Sequence, residues 1–164
     1  MLILVKVIPL FNKVLIANRG EIACRIATTA SKIGLRTVAI FSEADSRSKH
    51  ISLCDEAFLI ESSTPLESYL NQSEIINIAI KTGAGAIHPG YGFLSENSEF
   101  AQKVQEAGLI FVGPDFKAIE IMGHKDAAKK AMSKAGIPVV PGYHGENQTD
   151  ERLKRKLSRL VTLY

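Results

Sequence analysis

One phrase recurs along the chain and narrows its fold more than any other feature: a helical pattern, then a glycine, then a short β-rich run. Lys32-Ile-Gly34 leads into Arg36-Thr-Val-Ala-Ile-Phe41, and Lys81-Thr-Gly83 into Ala86-Ile-His88. Glu106-Ala-Gly108 leads into Leu109-Ile-Phe-Val112, and Lys134-Ala-Gly136 into Ile137-Pro-Val-Val140. Each glycine stands where a helix C-terminus takes a left-handed residue, with a basic or polar neighbour to suit the helix dipole. Short apolar strands alternating with helices predict a parallel sheet covered on both faces. Lys13-Val-Leu-Ile-Ala17 is expected as the first strand and Ala57-Phe-Leu-Ile60 as the third. The pattern therefore reads as a Rossmann-like α/β domain of about five strands with helices on both faces.

The helices carry matching stripes. Ile22, Ile26, Ala30 and Ile33 fall on one helical face. Asn71 followed by Glu74 makes a capping-box-like start before Ile75, Ile76, Ile78, Ala79 and Ile80. A last helix is expected from Asp150 to about Leu160, rich in charge at Glu151, Arg152, Lys154, Arg155, Lys156 and Arg159. Its basic run could meet an anionic partner, but a solvated face is the simpler reading.

The stretch His88-Pro-Gly-Tyr-Gly-Phe-Leu-Ser-Glu-Asn97 follows an apolar run and reads as a strand end opening into a loop over a helix N-terminus. Two glycines supply backbone freedom, Pro89 removes an amide donor, and Ser95, Glu96 and Asn97 offer a cap and a first-turn carboxylate. In open α/β sheets ligands sit in that crevice, yet the same residues would serve a well-capped turn with no ligand. His88 could act as a general base, but after a strand it reads first as a satisfied structural histidine.

Asn18-Arg-Gly-Glu21 occupies the usual phosphate position between first strand and first helix. Only Gly20 of the three-glycine fingerprint is present, and Glu21 would place negative charge in the cradle, which argues against a dinucleotide. Arg19 and Glu21 are expected to make structural hydrogen bonds instead.

A chain of 164 residues, 46% hydrophobic, is enough for one domain with a real core. A net charge of +3 without aromatic–basic interleaving gives no footprint for nucleic acid. Cys24 and Cys54 have no metal spacing and read as free thiols in a reduced compartment, packing as small apolar residues. Met1 to Leu10 is apolar but lacks the features of a secretory signal, is too short to span a bilayer, and is poor in the Arg and Ser of a mitochondrial presequence. No membrane association is expected; the expected compartment is the bacterial cytosol, or the mitochondrial matrix for a eukaryotic source.

Three stretches in this order and spacing carry a resemblance: Ile16-Ala-Asn-Arg-Gly-Glu-Ile-Ala-Cys-Arg25, the decad His88–Asn97, and Gly113-Pro114 followed by Ile121-Met-Gly-His-Lys125. With Tyr69-Leu-Asn71 and Pro138-Val-Val-Pro-Gly142 between and after them, the chain from Phe11 to about Leu160 resembles the biotin carboxylase family. The likeness is to the N-terminal, pre-ATP-grasp domain of biotin-dependent acyl-CoA carboxylases. Pro141-Gly-Tyr-His-Gly145 and Ser42-Glu-Ala-Asp45 look most like the 3-methylcrotonyl-CoA branch of that family.

The resemblance implies a reaction in which MgATP and bicarbonate give carboxyphosphate, whose CO2 passes to biotin held on a separate carrier domain. It implies that Lys125, ending Met122-Gly-His-Lys125, contacts the ATP phosphates; a flexible ammonium at a helix start adds to a dipole that favours anions. His124 stands where the family has an aspartate, which weakens the expected cap. Tyr91, Gly92 and Glu96 would line the crevice facing the active site without performing chemistry. Arg25 matches an arginine at the dimer interface of bacterial members, although Thr28 and Lys32 stand where an arginine and a glutamate are typical. Implied partners are an ATP-grasp domain of the same enzyme, the biotin carrier domain, a carboxyltransferase subunit and a second copy in a homodimer.

The run of four glycines, the magnesium-binding glutamates and the biotin-attachment motif are not found in these residues, so no catalytic or metal-ligating residue is assigned. Segmentation is expected as an extension at 1–11, the domain at 12–145, and a helix with the start of a link to an ATP-grasp domain at 146–164. Such a domain alone would be inactive. A non-catalytic assembly module is the rival reading, and a purine-pathway ligase a more distant one that the decad argues against.

Overall fold

In a computed structural model, the described residues are 10–61, 64, 67–143, 145 and 147–161, with side chains described to residue 158. The apolar start to residue 9, His144 within Pro141–Gly145, and the terminal residues 162–164 lie outside them. The chain divides into two units, Met1–Ile119 and Glu120–Tyr164.

The first unit is built on a five-stranded parallel sheet: β1 Lys13–Ile16, β2 Arg36–Phe41, β3 Glu56–Leu59, β4 Ala86–His88 and β5 Ile110–Phe111, in the order β3-β2-β1-β4-β5. The third strand begins one residue earlier than Ala57, where the sequence placed it. Helices α1 Gly20–Lys32, α2 Lys49–Leu53, α3 Gln72–Thr82 and α4 Ser98–Glu106 connect the strands. Order reverses between β1 and β4, so the switch point lies at their carboxyl ends.

Alternation along β1 divides the core between two faces. Leu15 and Ala17 join Val38, Ile40, Ile75, Ile78, Ile87, Phe100 and Val104 beneath α3 and α4. Ile16 packs with Ile22, Ala23, Ile26 and Ala27 of α1, and Val14 with Ala30 and Ala86. Each large side chain so buried contributes about 1.5–3 kcal/mol. The stripe on α1 holds for Ile22, Ile26 and Ala30, but Ile33 caps the helix and is 69% exposed. On α3, Asn71 accepts the Glu74 amide at 3.1 Å as expected, and Ile80 turns out to solvent. The four phrase glycines Gly34, Gly83, Gly108 and Gly136 all have φ between 69° and 80°.

The second unit carries the last part of α5 (Phe116–Gly123), α6 (Lys125–Lys134) and α7 (Asp150–Val161). Its described residues hold no strand, which corrects the β-run expected at Ile137–Val140. Pro138 and Pro141 donate no ladder hydrogen bond, and every described strand belongs to the first unit. In α7, Arg152 and Lys156 flank the ring of Tyr143 at 5.6 and 5.4 Å, so part of the basic run covers an aromatic face.

Candidate functional site

The carboxyl ends of β1 and β4 meet through Asn18. Its side chain is buried, and its Nδ2 donates to the carbonyls of Pro89 and Tyr91 at 2.8 Å each. Its Oδ1 accepts the Arg19 amide at 2.9 Å. Gly90 has φ 68°, and a Cβ there would lie 2.8 Å from Asn18 Nδ2, so only glycine lets the loop approach this closely. The cleft where a dinucleotide pyrophosphate would rest is thus bridged by the chain's own amide.

The loop from Pro89 to Asn97 is held at a second point. Phe93 takes φ 40° and stacks on Tyr69, ring centroids 5.2 Å apart and planes 15° off parallel. The Tyr69 hydroxyl donates to Asp45 Oδ2 at 2.6 Å and accepts the Ser42 amide at 3.2 Å. Arg19 donates through Nε and Nη2 to the two Asp45 oxygens, and the Ser48 hydroxyl donates to Oδ1 at 3.0 Å. The Arg19 fork, joined by the Tyr69 and Ser48 hydroxyls, holds the Asp45 carboxyl well below the usual carboxylate range despite its burial. Burial, and then the bond to Asp45, push the Tyr69 phenol up. Four loops following different strands are thereby joined on one edge of the sheet.

The structural role expected of Arg19 is what the geometry shows. Glu21 accepts the Tyr91 hydroxyl at 3.4 Å, a long contact on the surface. Tyr91, Gly92 and Glu96 all project to solvent from the loop. The helix cap differs from the expectation: Asn97 alone caps α4, accepting the Phe100 amide at 2.7 Å, and Glu99 is the first-turn carboxylate. Glu96 lies one residue before the cap because the Ser95 and Asn97 amides turn back onto Gly92 and Leu94. His88 Nδ1 accepts the Gly90 amide at 3.0 Å, a structural bond, and burial with Arg25 nearby pushes its imidazole down. Arg25 is exposed on α1.

Lys125 is the first residue of α6 in the second unit, exposed, and His124 caps that helix without a side-chain bond. The first amides of α6 therefore have no side-chain acceptor at the cap, a suitable setting for an anion. Among the described residues no group of three His, Cys, Asp or Glu could hold a metal ion. Nor is any described helix long and apolar enough to cross a membrane. Cys24 and Cys54 are both free and half-buried, Cys54 against the Ile16–Ile26 cluster.

Asp45 and Phe93 carry no expected site role in the sequence, and Tyr69 entered only as part of a family match. Nothing local marks them, since Asp45 lies 26 residues from Arg19 and 24 from Tyr69.

Residues 10–119 match the family described as biotin carboxylase, N-terminal domain. The chain is 53% identical over 149 residues to the mitochondrial methylcrotonoyl-CoA carboxylase subunit alpha of Dictyostelium discoideum, covering 91% of this chain and 21% of that protein. It is 48% identical over 146 residues to the 2-oxoglutarate carboxylase small subunit of Hydrogenobacter thermophilus, covering 89% of this chain and 31% of that one. The crystal structure of the biotin carboxylase domain dimer of that enzyme, with MgADP, ADP and bicarbonate, superposes with a TM-score of 0.85 at 45% identity, covering 93% of this chain and 33% of that one. The chain thus spans between about a fifth and a third of these relatives.

Proposed function

This chain belongs to the biotin carboxylase N-terminal domain family, and from that premise we propose that it forms one wall of the nucleotide site of a biotin carboxylase. The reaction served is the ATP- and bicarbonate-dependent carboxylation of biotin within a biotin-dependent carboxylase, of the methylcrotonoyl-CoA type in our reading. The observation that carries the proposal is the doubly anchored loop 89–97. Asn18 and the Tyr69–Asp45–Arg19 network hold it in place and leave Tyr91, Gly92 and Glu96 exposed on its outer side. A wall that must not shift as charge develops is preorganised in this way.

Lys125 supplies a mobile ammonium beside the uncapped amides of α6, a combination suited to ATP phosphate oxygens. The described residues do not fit a magnesium ion, since they hold no cluster of acidic ligands. No step is therefore assigned to the metal through this chain. We assign the metal ligands and the biotin-facing groups to an ATP-grasp domain, with biotin on a carrier domain and acyl transfer in a carboxyltransferase subunit. Arg25 is assigned to a homodimer contact. The bacterial cytosol and the mitochondrial matrix both suit this reading.

The test is a chimera in which this chain replaces the matching segment of the Hydrogenobacter thermophilus small subunit. Bicarbonate-dependent ATP hydrolysis should survive, and Lys125→Ala should raise KM for ATP about tenfold, as expected for one lost charge-assisted contact. An unchanged KM removes Lys125 from the site. A folded chimera without activity favours a non-catalytic assembly role.

A further inference from the structure

Helix α2 packs on α1 and β2, and its buried side chain is His50. The imidazole is fully buried, with Nε2 3.2 Å from the Ile40 carbonyl of β2. A carbonyl only accepts, so Nε2 holds the ring proton and Nδ1 is a bare acceptor. That Nδ1 is the one buried side-chain nitrogen or oxygen among the described residues without a hydrogen-bond partner. Two charges act on the ring: Asp45 favours its cation, and Arg19, at the start of α1, opposes it. Donors from Arg19, Tyr69 and Ser48 already occupy both Asp45 oxygens, so that carboxylate is not free to turn to Nδ1. Glu21, Arg25 and Lys32 of α1, Glu43 and Arg47 of the preceding turn, and Lys49 of α2 itself are exposed. Arg36 of β2 pairs with Glu56. Cys24 of α1 and Cys54 at the end of α2 are half-buried thiols. No group on these elements thus stands ready to receive a second ring proton.

We propose that His50 is an acid-released latch: protonation of Nδ1 frees α2 from the sheet and, through Ser48 and Asp45, slackens the outer anchor of loop 89–97. A proton on Nδ1 makes a buried cation whose new N–H has no acceptor, the form that burial disfavours. The short helix Lys49–Leu53 can swing out and bring the ring to water at lower cost than unfolding the sheet. Ser48 directly precedes α2, its amide on the Asp45 carbonyl at 2.7 Å and its hydroxyl on Asp45 Oδ1. Asp45 in turn holds the Tyr69 hydroxyl, and the Tyr69 ring carries Phe93. Movement of α2 is therefore passed to loop 89–97 along contacts already in place. The linkage has one sign. The closed fold excludes the proton, and the opened helix takes it at the ordinary imidazole value of about 6.5, so opening grows as pH falls below that value. The device lies in the first unit and needs no nucleotide, so it stands apart from the nucleotide-site reading.

The experiment is hydrogen exchange of the whole chain, read amide by amide in nitrogen–proton spectra at pH 7 and pH 5 and corrected for intrinsic rates. Protection at Ile51, whose amide donates to the Ser48 carbonyl, should fall about tenfold between the two. Ser95 and Asn97, whose amides donate to the Gly92 and Leu94 carbonyls, should follow it. All three should respond weakly to urea, because local opening exposes little surface. His50→Gln keeps a donor for the Ile40 carbonyl and does not titrate, so it should remove the step at all three amides. Tyr69→Phe keeps the ring on Phe93 without the hydroxyl, so the step should remain at Ile51 and vanish at Ser95 and Asn97. The proposal is overturned if Ile51 shows no step, or if the step survives His50→Gln. It is equally overturned if Ser95 and Asn97 fail to follow Ile51, if they still follow it in Tyr69→Phe, or if all three exchange with the urea dependence of global unfolding. Should His50→Gln not fold, imidazole nitrogen spectra of the unsubstituted chain decide: Nδ1 protonation while Ile51 stays protected overturns the latch, and protonation in step with Ile51 exchange supports it.

Discussion

Replacing Asp45 with Asn tests whether the buried network holds the loop edge together. Asp45 is 4% exposed and takes donors from Nε and Nη2 of Arg19, from Tyr69 and from Ser48. In D45N the two hydroxyls can turn and accept from the new amide, but Arg19 only donates and must lose one partner. A charge-assisted bond of this kind contributes about 1.5–3 kcal/mol. The Arg19 side chain is 47% exposed, so water recovers part of its loss and about 2 kcal/mol remains. The larger cost of about 3–5 kcal/mol applies to an ion left buried and unpaired, which Arg19 is not. For a chain of this size, about 2 kcal/mol lowers Tm by about 4–8 °C. Circular dichroism during thermal and urea unfolding measures it. The pH dependence has a definite sign: Asp45 has a folded pKa below its unfolded value of about 3.9, so its stabilisation is complete above that value and is lost on further acidification. The D45N deficit should therefore stand at pH 7 and shrink below about pH 4. A deficit under about 0.5 kcal/mol, or one undiminished at pH 3, would refute the reasoning.

Gly90→Ala should cost about 2–4 kcal/mol, from left-handed strain and from disruption of the Asn18 bonds. Gly92→Ala, with φ 65° but open space around it, should cost about 1 kcal/mol, and equal urea midpoints for the two variants would exclude the close approach to Asn18. His50 is fully buried, its Nε2 near the Ile40 carbonyl at 3.2 Å and its Nδ1 without a described partner, and burial lowers its pKa. A lowered folded pKa means stability is retained above about 6.5 and falls as pH drops below it. His50→Leu should lessen that fall between pH 7 and 5, and an unaltered slope would assign it elsewhere. Asn71→Ala and Asn97→Ala should each cost about 1 kcal/mol by loss of a helix cap, read from denaturant midpoints.

The sequence alone determined whatever depends on residues within a turn of one another. The four glycines after helices and the Asn71 cap follow from contacts between near neighbours, and each stands as read, while the α1 stripe holds for Ile22, Ile26 and Ala30 but not for Ile33. Where local signals competed, tertiary structure decided. Glu96 ceded the helix start to Asn97 and Glu99, because the Gly92–Leu94 turn placed the cap one residue further on. Ile137–Val140 has strand-forming side chains, but a strand exists only where an edge is present to pair with it, and the second unit provides none among its described residues. Strand order, the bridge from Asn18 to Pro89 and Tyr91, and the set Arg19, Asp45, Tyr69 and Phe93 join positions 24 to 73 residues apart. No propensity selects such partners: they meet because the parallel sheet brings the carboxyl ends of its strands to one edge, where buried polar groups must find each other or remain unsatisfied.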